Sequence, residues 1–266
     1  MKRVEVFEFE DFYWFPSSIR TCMTNLIVVF LKLMGTPKVI GNIIHQAKEK
    51  IGFKNIVDMG SGSGSGMMLA VQEYNRTTED KISLLLTDLH PNKKLVEKIN
   101  NDKYINITYR KEPLNATNLS EAPEGIKTMV NSFHHMSPDM AIKILKSAHD
   151  NKEPIMIYEL AENKIPLLAW ALFLPISLPL LFVMTLFMTP FVKPMTWQQI
   201  VFTYIIPIIP ICYAWDGQAS LPRTYSFKDL ELLTHDLQDG YTWEIEVAKK
   251  VNGKKAGYYV LGYPLI

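Results

Sequence analysis

The chain has 266 residues, enough for one large core or a core with one accessory element. Its 28 lysines and arginines nearly balance 27 aspartates and glutamates, which excludes the global charge of a nucleic-acid binder or an acidic tail. Cys22 and Cys212 lie in separate apolar stretches at neither metal nor redox spacing, so they read as two buried thiols of a reducing compartment, and no metal site is expected.

The opening "MKRVEVFEFEDFYWFP" lacks the apolar core and cleavage site of a signal peptide. Its aromatics, gathered ahead of Arg20, suit either a lid or a cluster packing the first helix. "SSIRTCMTNLIVVFLKLMG" has helical apolar spacing, with a serine pair to cap it and Gly35 and Pro37 to stop it. "PKVIGNIIHQAKEKIG" is a second helix, with proline in its first turn and lysines and glycine at its end. His45 on that helix has no second ligand at metal spacing and reads as a surface residue.

An alternating series follows. "KNIVDM", "KISLLLTDL", "INITYR", "IKTMVNSF" and "EPIMIYEL" are strands; "MMLAVQEYN", "PNKKLVEKINN" and "SPDMAIKILKSAHDN" are the helices between them, the last capped by Ser137 with Pro138 at its first position. Such alternation predicts βαβ crossovers and a parallel, doubly wound α/β sheet. Beyond an apolar region, "TYSFKDLELLTHDL" is a capped helix, and Asn252-Gly253 joins two final β-rich runs as an antiparallel hairpin.

The sharpest local signal is "NIVDMGSGSGSGMM". A strand ends in Asp58, glycines follow at 60, 62, 64 and 66, and a helix begins directly afterwards. Glycine permits positive φ and close approach of the backbone to a ligand, and the helix start presents free N–H groups. Met67 and Met68 stand where a P-loop needs Lys-Ser/Thr, and the spacing G-x-G-x-G differs from the dinucleotide G-x-G-x-x-G.

An acidic residue followed by G-x-G-x-G resembles the first motif of the class I S-adenosylmethionine-dependent methyltransferases. The resemblance covers residues 53 to 160 and the closing hairpin. It implies a Rossmann-like sheet of order 3-2-1-4-5-7-6 with strand 7 antiparallel, and S-adenosylmethionine as cofactor. By the same resemblance Asp58, Gly60, Ser61, Gly62 and Gly64 form the cofactor loop. Asp88, with Leu89 beside it, follows the second strand and would accept both ribose hydroxyls. Asn115 and Ala116 occupy the adenine-reading position, where aspartate is usual, and Asn131 lies near the methionyl arm. Phe133 to His135 would face the substrate.

Methyl transfer is an in-line displacement, so positioning and desolvation supply much of its acceleration, and a base is needed only for an acceptor that must lose a proton. His134 or His135 suits that role, or the two form a packing pair ahead of the helix. Glu159 and Glu162, after the fifth strand, are either acceptor-binding groups or solvated loop carboxylates.

Ile165 to Val192 is charge-free, and so is Pro194 to Trp215, each long enough for a bilayer core. Eight leucines, two isoleucines, three phenylalanines and a valine lie between Ile165 and Met188. Each favours insertion by about 0.3–0.6 kcal/mol, whereas Pro166, Pro175 and Pro179 oppose a straight helix. A kinked hairpin is expected, spanning or re-entrant, against the alternative of a helical cap over an apolar pocket. Asp216, Arg223 and Tyr225 lie where the chain leaves it. Arg223 suits a grip on a lipid phosphate or simple snorkelling, and Tyr225 a contact to substrate.

The predicted organisation is an N-terminal helical segment, 1–52, packing on the core. A discontinuous cofactor-binding domain, 53–163 and 217–266, carries an apolar membrane-associated hairpin, 164–216. The implied function is a methyltransferase at the membrane, its catalytic domain on the cytoplasmic side, acting on a lipid or lipophilic small molecule; the alternatives are a methyltransferase for a soluble small molecule with the hairpin as anchor only, and a non-catalytic S-adenosylmethionine-binding membrane protein.

Overall fold

The computed structural model describes residues 1–102 and 106–265. Ile105, first residue of the expected third strand, lies outside the described residues. The chain divides into two compact units, Gly35–Leu160 with Phe227–Ile266, and Met1–Met34 with Ala161–Ser226. The expected N-terminal segment 1–52 is thereby parted near Gly35.

In chain order the helices are α1 (Ser17–Met34), α2 (Thr36–Ile51), α3 (Ser65–Thr77), α4 (Lys93–Asn101), α5 (Pro138–Asp150), α6 (Leu167–Met188), α7 (Trp197–Ile200), α8 (Ile208–Arg223) and α9 (Phe227–Thr234). The strands are β1 (Asn55–Asp58), β2 (Ser83–Leu86), β3 (Ile107–Tyr109), β4 (Ile126–Val130), β5 (Ile155–Glu159), β6 (Tyr241–Lys249) and β7 (Lys255–Pro264).

The first unit is a seven-stranded sheet of order β3-β2-β1-β4-β5-β7-β6, as the resemblance implied. β1 to β5 pair in parallel, and β7 runs antiparallel to both β5 and β6. The run "IMIYE" of β5 is buried throughout, as expected for a parallel strand covered on both faces. Ile40 and Ile44 of α2 join Ile56, Leu84, Met156 and Leu261 in its core. The expected ends of α2 and α5 hold. Ser137 Oγ accepts the Met140 N–H of α5, Pro138 takes the first position, and Gly52 closes α2 with φ +76°.

The register fixes what meets at the carboxyl edge. Asp58 pairs with Leu86 on one side and Thr128 on the other, which brings the ends of β1, β2 and β4 together. At the end of β5, Gly257 of β7 takes φ +92°, and a Cβ there would collide with the Glu159 carbonyl oxygen. Only glycine lets β7 pass so close behind the strand that carries Glu159.

The second unit combines α1, the N-terminal segment and the apolar region. Phe15, Ile19, Met23 and Leu26 pack with Met188, Ile209 and Tyr213. Cys22 and Cys212 are buried and unpaired in the same cluster, as the sequence indicated. α6 contains Pro175 and Pro179. α7 continues as a π-helix, Val201–Ile205, and then breaks before α8, with an angle of 82° across the break. By length and composition, two of the described helices, Ser17–Met34 and Leu167–Phe191, suffice to cross a membrane.

Candidate functional site

The loop after β1 is built around positive-φ glycines: Gly60 at +61°, Gly62 at +52° and Gly64 at +68°. Gly64 caps α3, and a Cβ on it would strike the Leu86 side chain. Asp58 anchors the loop from below. Its Oδ2 accepts the Ser61 hydroxyl at 2.6 Å, and its Oδ1 accepts the Thr128 hydroxyl at 2.7 Å. Ser61 N–H donates to the Thr87 carbonyl, so the loop is tied to both neighbouring strands.

Asp88 holds the loop from the side. Its Oδ2 accepts the Gly62 N–H at 2.9 Å, and its Oδ1 accepts the His90 N–H at 2.8 Å. A carboxylate has about four acceptor sites, so two remain for a vicinal diol. Leu89 is 43% exposed beside it. Sequence reasoning missed Tyr109, which ends β3 buried and donates its hydroxyl to the Gly62 carbonyl at 2.9 Å. Gly62 is thus gripped through its N–H by Asp88 and through its carbonyl by Tyr109. Burial first, then the charges of Asp88 and Asp58, push the Tyr109 pKa upward, which keeps its proton available for that bond. The only sequence signal was a tyrosine at the inner end of a short strand.

Two expected cofactor residues are engaged in local structure. Asn115 is exposed, and its Oδ1 accepts both the N–H and the hydroxyl of Thr117, an Asx-turn that takes the oxygen assigned to adenine. Ala116 is half-buried next to it. Asn131 adopts φ +51° and accepts the Leu160 N–H on its Oδ1 at 2.9 Å, stitching β4 to the end of β5. Next to it, the Ser132 hydroxyl is buried without a hydrogen-bond partner among the described residues, 4.0 Å from the Cβ position of Gly60. An orphan hydroxyl beside a glycine cradle and a carboxylate with acceptor sites to spare fits a ribose-bearing cofactor with a polar arm.

Burial pushes the Asp58 carboxyl up to about 6; the Ser61 and Thr128 hydroxyls oppose this, and the Asp88 charge adds to it. The sign follows from proton binding. A folded-state pKa above the unfolded value of about 3.9 makes the native state bind the extra proton between roughly pH 4 and 6. That stabilisation is complete below pH 4 and is lost as pH rises through 6, about 3 kcal/mol in all. Denaturant titrations at pH 4 and 7 are expected to show a fall in the native chain that is smaller in Asp58→Asn, burial of Asp216 contributing the remainder by raising its carboxyl to about 7.

His134 and Glu159 meet at the ends of β4 and β5. His134 is 6% exposed and Glu159 1%. The carboxylate accepts from residue 134 twice, with Oε2 2.8 Å from Nδ1 and Oε1 3.0 Å from the backbone N. His135 is half-buried, its ring centroid 4.3 Å from that of His134. Phe133 is fully buried, so it packs in the interior instead of facing a substrate.

Glu162, Arg223 and Tyr225 belong to the other compact unit. Glu162 pairs with Lys164 at 3.0 Å. Arg223 departs from the expected headgroup grip. It is 2% exposed and bridges Glu8 at 3.1 Å, Asp11 at 2.5 Å and the Val6 carbonyl. The acidic N-terminal segment supplies the anions that a lipid phosphate would have offered. Tyr225 is 1% exposed beneath the Arg3 guanidinium, 5.3 Å away, so it too is an internal packing residue.

No protein-family model and no curated protein matches this sequence. Its fold is similar to that of solved methyltransferases. The structure of the plantazolicin methyltransferase BpumL in complex with SAH superposes with a TM-score of 0.54 at 10% identity, covering 93% of this chain and 89% of that one. The plantazolicin methyltransferase BamL gives 0.50 at 13% identity, over 92% and 97%. Human N-acetylserotonin methyltransferase gives 0.50 at 12% identity, over 93% of this chain and 57% of its own. The fold of this chain is the Rossmann-like methyltransferase fold, with strand 7 antiparallel.

Proposed function

We propose that this protein is an S-adenosylmethionine-dependent methyltransferase that acts at a membrane on a lipid or lipophilic acceptor. The observation that carries the acceptor class is the large apolar surface on the segment that follows β5 directly. Leu168, Leu172, Phe187 and Ile205 are 73%, 71%, 71% and 70% exposed. Surfaces of that extent mark membrane or partner contact.

The cofactor reading is supported by the glycine cradle, by Asp88 and by the Ser132 hydroxyl. Asp88 would hold the ribose hydroxyls, and Ser132 with the loop N–H groups would hold the amino-acid arm. When bound, S-adenosylmethionine supplies an electrophilic methyl on a sulfonium, which an acceptor lone pair displaces in line. His134 takes the proton of a hydroxyl or amine acceptor. Nδ1 faces the Glu159 carboxylate, whose charge would stabilise the imidazolium that forms. His135, its ring centroid 4.3 Å from that of His134, is the other candidate base. Tyr109→Phe is expected to weaken cofactor binding about tenfold, the worth of one hydrogen bond on Gly62, without altering turnover at saturation. Calorimetry and a kcat measurement check this pair.

The names of the structural neighbours favour a second reading, a small-molecule or peptide natural-product acceptor, with the apolar segment as anchor alone. Incubation of labelled cofactor with a total lipid extract separates them. Label in the organic phase supports the lipid acceptor. Label confined to water-soluble products favours the anchor, and no turnover with any acceptor leaves a cofactor-binding membrane protein.

A further inference from the structure

We infer that the lysine-rich tip of the β6–β7 hairpin is a contact to the anionic headgroups of a lipid surface, so that the carboxyl edge of the sheet faces them; the inference rests on the membrane reading above.

The tip lies in "VAKKVNGKKAG", residues 247–257. Lys249, Lys250, Lys254 and Lys255 fall within seven residues, and no acidic residue lies between Val247 and Ile266. The whole chain balances 28 basic against 27 acidic residues, so the excess is a local one.

The backbone holds these lysines together. The Lys250 carbonyl accepts the Gly253 N–H at 2.8 Å, and the Lys250 N–H donates to the Lys254 carbonyl at 2.8 Å. Asn252 Oδ1 accepts the Lys254 N–H at 3.1 Å. The loop is therefore Val251 to Gly253 alone, a tight hairpin connection. Beneath it Lys249 stands directly opposite Lys255. The register slips by one residue between this pair and the pair Val247–Tyr258; without the slip, Lys249 would face Ala256. Like charges opposed across a ladder destabilise it, and an anion seated on them offsets that cost.

Lys249, Lys254 and Lys255 are exposed, and Val251 at the tip is 89% exposed. Lys255 Nζ also lies 5.9 Å from the centroid of the Phe227 ring. Lysines that merely shield a free edge strand lie along it. Here Tyr241 to Ala248 of β6 contains none, and all four gather at the turn. An apolar tip residue framed by lysines suits the boundary between headgroups and acyl chains.

The turn belongs to the edge that carries the chemistry. β7 runs antiparallel to β5 with Tyr258 opposite Glu159, so Lys255 lies three residues, about 10 Å, beyond the level of Glu159. β1 and β4 share the direction of β5, which puts the ends that lead to Asp58 and His134 on the same side. The chain leaves this unit one residue after Glu159, at Leu160, for its most apolar stretch. Each lysine near an anionic leaflet strengthens attraction about fivefold, and the effect fades within a Debye length of about 8 Å at physiological salt.

The test places a fluorescent dye on Val251→Cys in the full-length protein; the parent, whose two cysteines are buried, is the blank. The protein is reconstituted into vesicles of phosphatidylcholine alone or with added phosphatidylserine, and quenching of the dye by acrylamide is measured. Phosphatidylserine is expected to lower the quenching constant about threefold or more. Salt at about 1 M, where the Debye length is about 3 Å, is expected to abolish that difference, and so is the double change Lys250→Gln with Lys254→Gln. Equal quenching in the two kinds of vesicle overturns the inference and leaves the membrane reading intact. Equal protection by poly-glutamate in neutral vesicles overturns the lipid assignment in favour of an acidic protein partner. Release of the parent protein from both kinds of vesicle in a detergent-free wash overturns the membrane reading itself.

Discussion

Asp88→Ala is expected to weaken S-adenosylmethionine binding by about 100-fold or more. In the proposed complex the carboxylate accepts two ribose hydroxyls, and hydrogen bonds to a charged acceptor contribute about 1.5–3 kcal/mol each. The same change releases the Gly62 N–H, now held at 2.9 Å, and so loosens the loop that carries the cofactor. Asp88→Asn retains one acceptor oxygen and is expected to fall between the two. Calorimetric titration measures this, and unchanged affinity in the alanine variant rejects the ribose assignment. Because Asp88 lies beyond the end of β2, outside the core, the fold is expected to persist, and thermal melting checks that the loss is one of binding.

His134→Ala is expected to lower turnover by about 10²- to 10⁴-fold, the usual range for a positioned general base, with cofactor affinity nearly unchanged. Glu159→Gln separates orientation from structure. The amide keeps the volume and one acceptor oxygen for the buried pair, but it removes the negative charge that stabilises the imidazolium. Turnover is expected to fall, and the pH profile of kcat to shift, while the fold persists. Equal activity in native and His134→Ala proteins would reject the base and leave catalysis to positioning and desolvation. Binding and turnover thus report on separate residues of one sheet edge, Asp88 at β2 and His134 at β4.

Much of the sheet unit was legible because its determinants are local. The alternation of apolar runs and amphipathic stretches sets strands against helices, and Ser137-Pro138, Gly35 and Asn252-Gly253 mark their ends or turns through backbone preferences alone. The loop after Asp58 was readable for the same reason: positive φ at three positions demands glycine. Tyr109 was missed, and the local engagement of Asn115 was not visible, because both depend on partners. Thr117, two residues on, captures the Asn115 oxygen, and Gly62, 47 residues away, receives the Tyr109 hydroxyl. Arg223 failed for a related reason. A cation beside an apolar segment suits a headgroup equally well, and nothing near it in sequence shows that Glu8 and Asp11 return to bury it.

By itself the sequence determined the order of elements, the glycine cradle, the acid at position 88 and the apolar insertion after β5, since composition and short-range backbone preference dictate each of them. Only the tertiary structure decided that Glu159 faces His134, that Tyr109 clasps the loop, and that the acidic N-terminal segment returns to Arg223 of α8. Those facts arise from register and packing between segments far apart in the chain. There a carboxylate taken out of water must find a partner, and sequence spacing carries no record of which one it finds.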